Sequence, residues 1–196
     1  MTLCGNFLPW VKTGKHVGNN VNESIDGMKY DMSIKRASYI SKNCELLQEF
    51  SFAHPKSKIL VNQIFNCHFT GAPLWDLFCR DFEKIEKSYN TSVRKMLNIP
   101  RETHKYLIEP LSETKHISSV IYKRFLNFIQ QIKKSSKILP KKLLKVLKHD
   151  VSSVTGSNLR NIMLIVNKTQ IDDLDPSHLI NIKYFPVNEE TNGRLT

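Results

Sequence analysis

The 196-residue sequence has few of the residues that punctuate loops or staple small folds, with only 7 Gly, 8 Pro and 4 Cys. That scarcity excludes low-complexity and collagen-like chains, and 40% apolar residues place it among ordinary globular proteins. Cys4, Cys44, Cys67 and Cys79 form no C-x-x-C pair, and the seven histidines never fall two to a helix turn beside another ligand. The spacing excludes a zinc framework and a disulfide scaffold, and predicts buried thiols in a reducing compartment, nucleus or cytoplasm. No apolar run approaches the roughly 18–20 residues that cross a bilayer, and the start lacks a charged stretch followed by an apolar one. Neither a membrane span nor a secretory leader is expected. A glycine-rich phosphate loop and a nucleophile with a base are missing too, so no cofactor and no metal are expected.

What is present in excess is positive charge, and it sits in one place. Residues 115–148 carry ten basic side chains (Lys115, Lys123, Arg124, Lys133, Lys134, Lys137, Lys141, Lys142, Lys145 and Lys148) and no acidic one. The formal net charge is +11, so the rest of the chain is close to neutral. Unneutralised charge at this density favours a polyanion, because each phosphate contact releases condensed counterions. A solvated basic helix face accounts for the same residues equally well.

The apolar periodicity is helical. In the first 22 residues, Pro9, Gly14 and Gly18 break up short β-prone stretches, which predicts a hairpin. From Ser24, positions Ile25, Met28, Met32, Tyr39, Ile40, Cys44, Leu47 and Phe50 recur at steps of mostly three and four, predicting a long helix ending near His54. Pro55 suits a first helical position, and Leu60, Val61, Ile64, Phe65 and His68 share a face until Gly71 and Pro73. Phe78, Phe82, Ile85, Tyr89, Val93 and Met96 give the clearest helix. After a linker with Pro100 and Pro110, Ile117, Ile121, Phe125, Phe128 and Ile132 mark a fourth. Pro140 opens a fifth, with Leu143 and Leu147 turned to the core and Lys141, Lys145 and Lys148 along another face, Lys142 close by. Ser157 caps a sixth through Leu159, Ile162, Met163 and Val166. The expectation is a mainly α fold: a hairpin over residues 1–22, a bundle of five to six helices over 23–166, and a poorly ordered tail over 167–196, with a short strand at 180–187.

Three residues or pairs invite a chemical reading. Asp172-Asp173 is the one adjacent acid pair, but it lacks a preceding strand pattern, so an exposed loop is expected rather than a two-metal site. His68 beside Cys67 lacks convergent ligands, and Trp75 is surrounded by apolar neighbours; both are expected to be core residues.

Several stretches, in order, resemble the region just after the catalytic core in non-LTR retrotransposon reverse transcriptases of the jockey-like and chicken-repeat-like clades. They include Leu3-Cys4-Gly5-Asn6-Phe7-Leu8-Pro9-Trp10-Val11, Lys15-His16-Val17-Gly18-Asn19 and Lys35-Arg36-Ala37-Ser38-Tyr39-Ile40. Further on come Gln48-Glu49-Phe50-Ser51-Phe52-Ala53-His54-Pro55, Gly71-Ala72-Pro73-Leu74-Trp75-Asp76-Leu77 and Thr103-His104-Lys105-Tyr106-Leu107-Ile108-Glu109-Pro110-Leu111. The resemblance spans roughly residues 3–166.

It implies a palm edge followed by a helical thumb, with Lys15, His16 and Gly18 as counterparts of the primer-grip hairpin. An ordinary hairpin turn fits the same three residues. The catalytic strand, which in the family bears a Tyr/Phe-Xaa-Asp-Asp motif, lies upstream of that hairpin and is expected to be missing here, so the chain alone is expected to be no enzyme. The implied partner is an RNA or DNA template-primer, gripped by its backbone with little sequence preference through Lys123, Arg124, Lys133, Lys134, Lys141, Lys142, Lys145 and Lys148, with a missing polymerase fragment in trans as a further partner. The alternatives are a non-enzymatic protein-interaction module and a transposon relic without selected function.

Overall fold

A computed structural model describes residues 2–3, 6–7, 13–16, 19–22, 26–65, 69–150 and 152–167. The expectations for Gly18, Cys67, His68, Asp172-Asp173, the 180–187 strand and the tail beyond 167 fall outside these residues. The hairpin expectation falls on chain that is only partly described. There Thr2–Leu3 pairs with Asn6–Phe7, and Thr13–His16 pairs with Asn19–Asn22, both antiparallel, with Lys15 opposite Asn20 and His16 opposite Asn19.

The fold is mainly helical. Seven α-helices are described: α1 (Asp26–Glu49), α2 (Pro55–Phe65), α3 (Arg80–Leu97), α4 (Ile108–Ser112), α5 (Ile117–Lys134), α6 (Ile138–His149) and α7 (Val154–Ile165). α3 is the hub, packing on α1, α2, α4 and α5, and its buried residues Phe82, Ile85, Tyr89, Val93 and Met96 are those of the sequence pattern. Burying one such side chain contributes about 1.5–3 kcal/mol. The helix stops at Asn98, whose left-handed backbone (φ 53) returns its N–H to the carbonyls of Arg94 and Lys95.

Trp75, 2% exposed, is the core anchor the sequence predicts. It follows a 3-10 turn, Ala72–Leu74, entered through Gly71 at φ 85, a conformation glycine adopts without strain. Both α5 and α7 pack on that turn. Asn158 of α7 donates from Nδ2 to the Trp75 carbonyl (2.6 Å) and accepts from the Leu77 N–H (3.0 Å), fastening the loop from behind.

Several boundaries and faces differ from the pattern. α1 ends at Glu49 rather than His54, and a turn leads to Pro55, which opens α2 as expected. Its buried stripe is Met32, Tyr39 and Leu46 with the polar Asp31, Lys35 and Asn43, while Ile40 (37%), Phe50 (47%) and Cys44 are exposed. Burial of the thiols is therefore not general: Cys44 is exposed and Cys79 half-buried. On α2, Leu60 (62%) and Ile64 (66%) face outward while Lys58, Ile59 and Asn62 are buried. Asn62 accepts the Tyr39 hydroxyl at 2.7 Å, and Lys58 donates to the Ser51 carbonyl at 2.8 Å, so each has a hydrogen bond inside, although the Asn62 Nδ2 is buried with none.

The expected linker contains α4, because Pro110 occupies its first turn, where no backbone N–H is needed. Pro140 likewise sits in the first turn of α6, which begins two residues earlier. α7 starts at Val154, capped by Ser153, whose hydroxyl accepts from the Gly156 N–H at 3.1 Å; Ser157 lies inside the helix. A Cβ on Gly156 would fall 2.0 Å from the Asp150 carbonyl oxygen, a backbone atom that cannot yield by rotating. Gly156→Ala is therefore expected to destabilise by about 1–3 kcal/mol through overpacking, despite alanine's better helix propensity. Chemical denaturation of the two proteins checks the sign.

Candidate nucleic-acid interface

The basic segment occupies α5, α6 and their connection, and the two helices pack on each other. α5 buries Ile117, Ile121, Phe125, Leu126 and Ile129, leaving Lys123, Lys133 and Lys134 exposed and Arg124 half-buried. Lys115, ahead of α5, lies 3.4 Å from Glu109 and is thereby partly neutralised. Lys133 and Lys134 stand in the last turn of α5, where the helix dipole favours cations. Lys137 is the N-cap of α6, Lys142 and Lys145 are exposed, and Lys141 and Lys148 are helical positions whose side chains are outside the description. The same holds for the side chains of Lys15 and His16.

α6 departs from the expected split into a leucine face and a lysine face. Leu144 (7%) and Leu147 (9%) are its buried pair, whereas Leu143 is 50% exposed. Adjacent leucines are indistinguishable by periodicity, and the packing against α5 and α7 selects Leu144. Ile138, Leu139 and Val146 are also more than half exposed, so the outer surface of α6 mixes lysines with aliphatic side chains. Its first turn has no acidic residue, although the positive end of the helix dipole would favour one. Lys137, Lys141 and Lys142 thus crowd the end of α6 that is already positive.

A second cluster looks catalytic. His116, the N-cap of α5, is 8% exposed; its Nδ1 hydrogen-bonds the Ser118 hydroxyl and lies 3.9 Å from Glu86 Oε1. Burial, reinforced by the positive charge of Lys105, pulls the His116 pKa down to about 4, and burial pushes the Glu86 carboxyl up. The imidazole is neutral at pH 7, so the 3.9 Å contact is not an ion pair there. Serine and carboxylate both meet the same ring nitrogen, Nδ1. A relay needs the nucleophile on one nitrogen and the acid on the other, so this geometry cannot activate Ser118. His116 and Ser118 lie two residues apart at the start of α5, but Glu86 comes from another helix with no local signal.

Among the described residues no group of three His, Cys, Asp or Glu side chains is placed to hold a metal ion, and no helix is long and apolar enough to cross a membrane. No protein-family model, curated protein or solved structure matches this chain.

Proposed function

We propose that this sequence is a piece of a non-LTR retrotransposon reverse transcriptase, a palm edge and thumb-like helical region that grips a nucleic-acid backbone and performs no chemistry by itself. The observation that carries the reading is the run of ten basic and no acidic residues in 115–148, with exposed lysines gathered on α5 and on the positive end of α6. Lysines placed against their own helix dipole are costly alone and favourable beside phosphate. The roles of Lys15, His16 and Gly18 at a primer-grip-like hairpin rest on the sequence resemblance.

Such an interface is weakly sequence-specific and strongly salt-dependent; six phosphate contacts give a log–log salt slope of about −5. Lys141, Lys145 and Lys148, spaced four and three apart on α6, form one stripe by register. Their joint change to Gln is expected to weaken binding to every sequence and to reduce the slope by about two to three units, with circular dichroism unchanged. Fluorescence anisotropy across a salt series reads both quantities. An intact slope in the triple variant, with binding abolished instead by Lys15→Gln, transfers the main contact to the hairpin.

One observation favours the second reading, a protein-interaction module. Ile138, Leu139, Leu143 and Val146 leave a larger apolar surface on α6 than a phosphate backbone uses. A stoichiometric protein partner that survives nuclease treatment and is lost on Leu139→Ser with Leu143→Ser would establish it.

A further inference from the structure

α1 and α3 pack side by side, and between them runs a half-open groove of about 230 Å³. Its lining divides by chemistry. Arg36, Lys87 and Lys95 supply positive charge, Ser88, Thr91 and Asn43 supply polar oxygens, and Ile40, Cys44 and Leu47 form an apolar wall on the α1 side. Among the described residues no carboxylate lines it. Of the α3 acids beside Lys87, Glu83 stands 3.9 Å from it with both side chains largely in solvent, so that its charge is screened rather than cancelled, while the half-buried Glu86 is turned towards His116.

The polar oxygens are acceptors, and this decides the ligand class. Ser88 donates its hydroxyl proton to the Lys84 carbonyl (2.8 Å), and Thr91 donates to the Lys87 carbonyl (2.8 Å). Both therefore present lone pairs to the groove, apart from the one on Ser88 that accepts from Arg36 Nε at 2.7 Å. Asn43 is 2% exposed; its Nδ2 donates to the Tyr39 carbonyl, leaving Oδ1 buried with no hydrogen bond. The Arg36 Nε contact also orients the guanidinium, whose terminal N–H groups are the ones suited to an oxyanion.

We propose that the α1–α3 groove binds a sugar phosphate: the phosphate against Arg36 and Lys87, sugar hydroxyls donating to Thr91 and Ser88, and the carbon face against Ile40 and Leu47, with Lys95 two helical turns further along adding positive charge. A bare anion leaves the acceptors unused, and a neutral sugar leaves the three cations unused. The volume is below the roughly 300–1,000 Å³ of ordinary small-molecule pockets, which fits one phosphorylated sugar and not a dinucleotide. The sugar phosphate is either free or the 5′-phosphorylated end of a strand, and the two share this chemistry. The site involves none of the α5–α6 lysines and stands or falls separately from the backbone-gripping reading.

Calorimetric titration of the whole chain with ribose 5-phosphate, inorganic phosphate and ribose tests it. Ribose 5-phosphate is expected to saturate one site about tenfold more tightly than inorganic phosphate, with ribose alone giving no measurable binding. Lys87→Gln with Lys95→Gln, both exposed and so harmless to folding, should weaken both phosphate ligands by about tenfold or more. Thr91→Val should narrow the gap between ribose 5-phosphate and inorganic phosphate while leaving the latter unchanged. A short oligoribonucleotide bearing a 5′-phosphate that outcompetes its 5′-hydroxyl counterpart, in a Lys87- and Lys95-dependent way, identifies the strand end as the source; indifference to the end with ribose 5-phosphate still bound identifies the free ligand. The proposal is overturned if ribose 5-phosphate binds no better than inorganic phosphate, or if its binding survives the Lys87→Gln/Lys95→Gln change.

Discussion

Asp31→Ala is expected to lower the unfolding free energy by about 3–5 kcal/mol, much of the roughly 5–15 kcal/mol that holds a typical domain folded. Asp31 is 4% exposed; its Oδ2 accepts from Trp75 Nε1 at 3.0 Å and lies 3.5 Å from Lys35 Nζ. Lys35, 7% exposed, also donates to the Thr70 carbonyl and stands 5.8 Å from the centre of the Trp75 ring. Burial lowers the Lys35 pKa while Asp31 holds it up, so the carboxylate is what keeps the ammonium charged inside. Removing the carboxylate leaves a buried cation and an unpaired indole N–H, whereas removing both charges leaves only the indole. Asp31→Ala combined with Lys35→Met should therefore recover a large part of the loss, a coupling that urea denaturation of the single and double variants measures. If the double variant is as unstable as the sum of its singles, the two side chains are not acting as a pair.

This network also marks where the sequence stops being readable. α3 was legible because its large buried side chains from Phe82 to Met96 recur at three- and four-residue steps, with only Ser88, Asn90 and Ser92 as buried polar neighbours, and Trp75 because its neighbours are apolar. α1 was legible as a helix but only partly in its facing: Met32 and Tyr39 are buried as the pattern has them. An assignment by apolarity runs through Ile40, Cys44 and Phe50, whereas Asp31, Lys35 and Asn43 occupy the buried stripe because Trp75, Thr70 and the Tyr39 carbonyl receive them. The partners of Asp31 and Lys35 lie on a loop about forty residues away, where no local period can register them. Asn62 on α2 repeats the case. For the candidate interface, composition located the charged segment, yet α6 carries Leu143 and Leu144 side by side, and only contact with α5 and α7 decides which is inside. The α1–α3 groove was invisible for the same reason: Arg36 and Lys87 come to line one groove only once two helices pack.

Acidification from pH 7 to 4 is expected to cost the fold up to about 3 kcal/mol through His116 alone. Its folded-state pKa of about 4 lies below the ordinary 6.5, so the native state holds the ring neutral while the unfolded chain takes up a proton first. The stabilisation is complete above pH 6.5, declines by about 1.4 kcal/mol per unit below it, and is exhausted near pH 4. The groups facing the ring set the size of the effect. Lys105 opposes protonation, Ser118 bonds Nδ1, and Glu86, with its carboxyl pushed up by burial, works in the opposite direction: its folded-state cost is relieved as it protonates on acidification. Tyr122 shares the environment but has its pKa raised and stays neutral throughout. The net acid loss is thus smaller than the histidine contribution. Chemical denaturation at pH 7, 5.5 and 4 separates the two: His116→Asn, which keeps a polar side chain at the N-cap without a proton to gain, should flatten the decline, and Glu86→Gln, which removes the offset, should steepen it. Parallel pH curves for the unsubstituted chain and His116→Asn would show that the acid sensitivity arises elsewhere and that His116 is not held neutral by its burial.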